Sequence, residues 1–149
     1  MMHSKKISLS LCAALLIVAA GCGNKPAGTG GTTGTSGTTA VKVTDVSLGR
    51  AIMGDKSISD STDKFRANDT IYASVTTDGS APTATLRAKW TFEDGQTVDE
   101  STRTIAPGTR ERTEFHISKP NGWPAGKYKV EVFLNDQSAG TKNFEVQAH

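Results

Sequence analysis

Thr83-Ala84-Thr85-Leu86-Arg87-Ala88-Lys89-Trp90-Thr91-Phe92 alternates strictly between two kinds of side chain. Ala84, Leu86, Ala88, Trp90 and Phe92 fall on one face of an extended chain, while the threonines, Arg87 and Lys89 fall on the other. Successive side chains of a strand point to opposite faces, so the stretch predicts a strand with one buried and one wetted face. The same period recurs elsewhere. Ile71, Ala73 and Val75 alternate with Tyr72, Ser74 and Thr76. Tyr128, Val130, Val132 and Leu134 alternate with Lys127, Lys129, Glu131 and Phe133. No part of 41–149 sustains a helical period, and the fold class that follows is all-β.

Turn chemistry separates the strands. Asp94-Gly95, between Trp90-Thr91-Phe92-Glu93 and Gln96-Thr97-Val98, reads as a tight hairpin. Ala106-Pro107-Gly108 ends the next strand, Pro120-Asn121-Gly122-Trp123-Pro124 forms a rigid corner, and Asn135-Asp136-Gln137 links the last two strands. Strands are expected near 41–48, 70–77, 83–92, 96–105, 110–118, 127–134 and 140–147. About seven short strands with a turn every ten residues or so point to an antiparallel β-sandwich.

Trp90 stands on the third expected strand, and Pro124-Ala125-Gly126-Lys127-Tyr128-Lys129-Val130 leads into the sixth. Both resemble the immunoglobulin-like family, which buries a tryptophan on its third strand. That family also turns a tyrosine hydroxyl back to upstream backbone two residues before a core position. The resemblance makes Val130 and Ala73 the counterparts of the family's cysteine pair, without the disulfide. Gly126 to Leu134 followed by Lys142 to Val146 is similar to the last hairpin of bacterial extracytoplasmic immunoglobulin-like or fibronectin-like modules. Such folds host many unrelated functions.

The N-terminal end carries an address. Lys5 and Lys6 precede an apolar run, Ile7 to Ala20, broken only by two serines, and small residues then lead to Cys22. The pattern is a secretory signal over 1–21, too short in its apolar run to span a membrane. Val18-Ala19-Ala20-Gly21-Cys22 resembles the lipobox of bacterial lipoproteins, although the family more often has Leu where Ala19 stands. The resemblance implies that Cys22 becomes an acylated mature N-terminus, the anchor to a membrane. It also implies, from Gly23, placement in the outer membrane facing the periplasm of a two-membrane host, or otherwise on the outer face of the plasma membrane. Gly28 to Thr39 is entirely Gly, Thr and Ser. Residues 22–40 therefore read as the lipidated cysteine and a flexible tether with an r.m.s. span of roughly 20–25 Å, leaving 41–149 as one domain.

Cysteine and charge then exclude whole classes. The chain has two cysteines, Cys12 and Cys22; loss of one with the signal and acylation of the other leave no thiol for a disulfide, a metal or catalysis. Removing Lys5 and Lys6 takes the 17 basic residues to 15, against 15 acidic ones. A balanced chain without a basic, aromatic-laced block has no footprint for nucleic acid.

Several side chains stand out as candidates. Asp55, Asp60, Asp63 and Asp69 cluster with Asn68 in a polar stretch, where oxygen ligands could hold calcium or simply serve turns. The spacing matches no EF-hand, and Lys56, Lys64 and Arg66 dilute the field. His116 is expected to point outward beside Glu114 and Ser118, and no G-x-S-x-G nucleophile elbow accompanies it. Glu93-Asp94 and Asp99-Glu100 face each other across a hairpin, an arrangement that keeps an edge strand soluble. Trp123 is either a loop-tip anchor for a partner or a cap over the open end of the sandwich. Outward Phe133 is the second possible contact, unless a loop covers it.

These readings converge on a lipid-anchored envelope protein whose domain is a non-enzymatic binding module, with Trp123 and Phe133 as binding candidates. The membrane and an envelope protein are its expected partners, and no cofactor beyond the lipid on Cys22 is implied. Two alternatives remain open: a structural envelope component without a specific ligand, and an inhibitor of an exported protease presenting loop 119–125.

Overall fold

A computed structural model describes residues 39–148, which form eight strands and no helix. They are β1 (Lys42–Gly49), β2 (Lys64–Arg66), β3 (Ile71–Asp78), β4 (Ala84–Phe92), β5 (Gln96–Ile105), β6 (Arg110–Ile117), β7 (Gly126–Leu134) and β8 (Gln137–Gln147). The expected signal segment, Cys22, most of the tether and His149 lie outside the described residues. Thr39 and Ala40, read as the end of the tether, are tied to the domain. The Ser80 N–H donates to the Thr39 carbonyl at 2.9 Å. A Cβ on Gly79, whose φ is +110°, would fall 2.5 Å from the Ala40 carbonyl oxygen.

The strands form two sheets, ordered β1-β3-β6 and β2-β8-β7-β4-β5. All neighbours are antiparallel except β2, which runs parallel to β8. The alternation in β4 holds as read. Ala84, Leu86, Ala88 and Trp90 are buried between the sheets, and Thr85, Arg87 and Lys89 face outward. Ile71, Ala73, Val75, Phe115 and Ile117 supply the opposite wall. At one end Phe144 joins three rings, meeting Phe65 edge-on at 5.5 Å and Trp90 edge-on at 5.9 Å, and stacking on Tyr128 at 5.3 Å. Such aromatic contacts add to the area they bury.

The Tyr128 hydroxyl donates to the Pro124 carbonyl at 2.8 Å. It does so two residues before Val130, which is fully buried opposite Trp90 in the β4–β7 register. The strand order, the buried tryptophan and the tyrosine corner together give an immunoglobulin-like sandwich.

Three details depart from expectation. A third residue joins the Asp94-Gly95 turn, because Phe92 pairs with Gln96 around Glu93-Asp94-Gly95. Glu93 takes φ +46° and Gly95 +107° there. Trp90 pairs with Asp99 and Thr91 with Thr97, so Val98 is a bulge that turns toward the core. β2 is an unexpected eighth strand, carrying one buried residue, Phe65, between two exposed cations.

Candidate functional site

The two flanks of the sandwich differ. On one, β1 and β8 close the gap: a Cβ on Gly140 would stand 2.9 Å from Cγ2 of Val46. The other flank is open: among the described residues β5 and β6 end their sheets there with no strand beyond them. Arg103 of β5 is a bridge across it. Its Nε donates to the Glu114 carbonyl at 3.0 Å, and the guanidinium lies 5.6 Å from the centre of the Phe115 ring.

Beyond Arg103 the flank opens into a cleft of about 640 Å³. Phe92, Val98, Ile117, Trp123 and Tyr128 form its base, and Gln96, Asp99, His116, Ser118 and Lys119 its rim. The fold thus gathers the corner tryptophan, the strand histidine and one carboxylate of the β4–β5 hairpin, which the sequence shows only as separate features. A depression of about 700 Å³ lies on the outer face of the large sheet, among Lys64, Glu93, Asp94, Lys127, Lys129 and Glu145. Its two aromatic members, Tyr128 and Phe144, are buried with their rings stacked in the core. Its mostly charged lining, on the outer face and away from the free strand edges, makes that depression the weaker candidate.

Trp123 is 7 % exposed and belongs to the core cluster. Its backbone N–H donates to Ala67 at 2.7 Å and its indole N–H to the Asp69 carbonyl at 3.3 Å. The ring meets Tyr128 edge-on at 6.2 Å. The residue caps the end of the sandwich, with both of its donors and its ring engaged within the domain. Phe133 does face outward and is half-buried. Arg87 covers it, 4.0 Å from the ring centre, while also reaching Glu100 and Asp136 at 3.5 Å each. A guanidinium over the ring, rather than a loop, shields this face.

The aspartates divide between arginines and turns. Arg50 lies between Asp60 at 3.2 Å and Asp69 at 3.0 Å, in the place a cation would take. Asp55 accepts from the Ser57 hydroxyl and N–H and pairs with Arg112 at 3.1 Å. Among the described residues no group of three His, Cys, Asp or Glu converges as metal ligands do. His116 is exposed, pairs through Nδ1 with the Glu114 carboxylate and lies 5.5 Å from the Tyr72 ring. Its partner among the described residues is an acid and not a nucleophile.

The sequence reading missed the open edge of β5 and the loop between β1 and β2. That loop folds back over the small sheet, with Ser74, 3 % exposed, donating to the Lys56 carbonyl at 2.6 Å. Hydroxyls at alternate outward positions, Ser74 and Thr76, give no hint that they are covered. Met53 in the same loop is 52 % exposed; a single exposed apolar side chain is ordinary.

No known family model matches the chain, and neither does any curated relative. Solved structures do resemble it. A β-glucosidase from Listeria innocua aligns at TM-score 0.50 and 8 % identity, over 74 % of this chain and 16 % of that enzyme. An immunoglobulin-like protein from Pseudomonas aeruginosa gives 0.49 and 16 %, over 74 % of this chain and 99 % of the other. The Pseudomonas fluorescens alkylpurine DNA glycosylase AlkC gives 0.44 and 17 %, over 72 % and 30 %. The chain thus spans under a third of either enzyme. The likeness to the glucosidase is one of fold, and none of that enzyme's chemistry follows from it.

Proposed function

We propose that this is a lipid-anchored cell-envelope protein whose immunoglobulin-like domain is a non-enzymatic interaction module. The open flank is the surface that meets the partner. The observation that carries this reading is the pair of free strand edges, β5 and β6, beside a cleft with an apolar base. Free edges take up an extended segment by main-chain hydrogen bonds, and adjacent pockets select its side chains. Acyl chains on Cys22 hold the protein at the membrane, and the Gly/Thr-rich tether gives the domain reach. Burial of Trp123 weighs against loop 119–125 as a protease-inhibitory tip. Mild crosslinking in intact cells, followed by capture of the tagged protein, tests the proposal with Cys22→Ala as control. Recovery of one envelope protein in stoichiometric amount, lost in the control, is the expected result. Recovery of only abundant wall components would favour a purely structural role.

A further inference from the structure

Among the described residues β5 is hydrogen-bonded on one side only, to β4, and its other edge is a row of N–H and C=O groups without a strand partner. Of its charged residues, Asp99 and Arg103 share the face turned to the open flank. Asp99 lines the cleft, and Arg103 reaches across to Glu114 and Phe115. Glu100 lies on the outer face, paired with Arg87 at 3.5 Å.

We propose that β5 pairs with β5 of a second copy of this chain, antiparallel and centred on Ser101. The proposal rests on the open flank being the interaction surface, and it names the partner of that edge. Extending the sheet through a two-fold axis normal to it brings the same patch of both copies together. Facing residues in such a pair share a face, so the axis, midway between the two strands, must lie level with a residue and its copy and not level with a peptide bond. Centres at Asp99, Glu100 or Arg103 set like charges directly opposite each other, which destabilises a pair. A centre at Thr102 leaves Asp99 opposite Ile105 and Arg103 opposite Ser101, with no charges matched. A centre at Ser101 sets Arg103 opposite Asp99 of the second copy, twice by symmetry, and Glu100 opposite Thr102. It alone matches opposite charges.

The bulge at Val98 marks one end of this ladder, because the regular part of β5 begins at Asp99. Pairs from 99 to 103 lie wholly within that part. The bridge formed by Arg103 is no obstacle. Its Nε serves Glu114, and a guanidinium has five N–H donors, so the terminal nitrogens remain for the carboxylate.

Ser101→Cys tests the register directly in the full chain, in membranes under mild oxidation. On the axis, two facing Cβ atoms stand about 4.5–5.5 Å apart, close to what a disulfide spans. Thr97→Cys, which lies beyond the bulge at Val98 and outside the paired stretch, and the unsubstituted chain are the controls. The expected result is a covalent dimer at position 101, several-fold above that at 97. Arg103→Asp or Asp99→Arg alone should reduce it several-fold, and the two together should restore it. The rescue matters because Arg103→Asp also removes the bridge to Glu114 within one chain. No dimer at 101, equal yields at 97 and 101, or indifference to charge reversal each overturn the proposal. An adduct of 101 with a different protein overturns self-pairing and leaves the open flank as the interaction surface; no adduct at 101 together with no captured partner removes both.

Discussion

Tyr128 shows how much one side chain settles. Its ring stacks on Phe144, its neighbour Phe92 lies 4.7 Å away, and its hydroxyl closes the corner on Pro124. Burial, then the negative charge of Glu93, pushes its pKa above the usual 10.0. A raised folded value means that its stabilisation is full below the ordinary tyrosine value and is lost as pH rises through the higher folded one. Tyr128→Phe removes one hydrogen bond and leaves a carbonyl unmatched, a loss of about 1 kcal/mol. In a domain of this size the melting temperature should fall by roughly 4–8 °C. A thermal melt followed by circular dichroism checks this, and an unchanged midpoint would mean that the corner is not a lock. Asp55 has the opposite sign. The Ser57 hydroxyl and N–H, and then Arg112, hold its carboxyl below the usual 3.8. The tie it makes to Ser57 is therefore full above that value and weakens as pH falls through the lower folded one. Protection of the Ser57 amide against hydrogen exchange, taken relative to the intrinsic rate at each pH, should fall over that acid range, and Asp55→Asn should abolish the step. Tyr128 was legible in sequence because its place before an alternating strand is local. The position of Trp123 was not, since its partners Ala67 and Asp69 come from a distant loop.

Elements were legible in proportion to their length. Strands of eight or more residues carry enough alternation to be seen, and β4 to β7 lie within a residue or so of expectation. β2 has three residues, and a parallel neighbour leaves no hairpin turn to announce it. Its one signal is Phe65 among polar residues. Yet Phe65 is fully buried and meets Phe144, and β2 covers the edge of β8. Phe65→Ala should cost roughly 3–5 kcal/mol, the range for deleting a buried aromatic ring. Domains of this kind are stable by only about 5–15 kcal/mol, so urea denaturation should show a large drop in midpoint. A change below about 1 kcal/mol would mean that the β2 segment is not part of the cooperative core. The β4–β5 turn failed for a different reason. Asp-Gly favours a two-residue loop, but the bulge at Val98 shifts the register, and Glu93 enters the turn with positive φ.

At the scale of the molecule, the sandwich was readable and its open flank was not. A flank is defined by which strands lie at sheet edges, and the cleft draws on β4, β5, β6, β7 and the corner before β7. Topology alone brings those residues together. The same topology makes a demanding test of the immunoglobulin-like alignment. Ala73 on β3 and Val130 on β7 are both fully exposed to the gap between the sheets and fully hidden from solvent. Each strand has a neighbour on either side in its sheet. By the resemblance to the immunoglobulin-like family these are the counterparts of the pair a disulfide joins across the core, and here an alanine and a valine, both fully buried, leave the core to hold by packing. Ala73→Cys with Val130→Cys, in the full chain with Cys12 and Cys22 replaced by alanine, should oxidise to an intramolecular disulfide. Bridging positions so far apart in sequence constrains the unfolded chain, and the expected gain is about 2–4 kcal/mol. Melting with and without reductant measures the gain, and mass spectrometry of the unreduced protein reports the bond. Disulfide geometry requires Cα atoms within about 7 Å, so thiols that stay reduced under oxidising conditions would show the two sheets offset from the immunoglobulin register. A bond that forms without stabilising would locate the mismatch in strain at Ala73, where a methyl group of the core has given way to a larger side chain ending in sulfur.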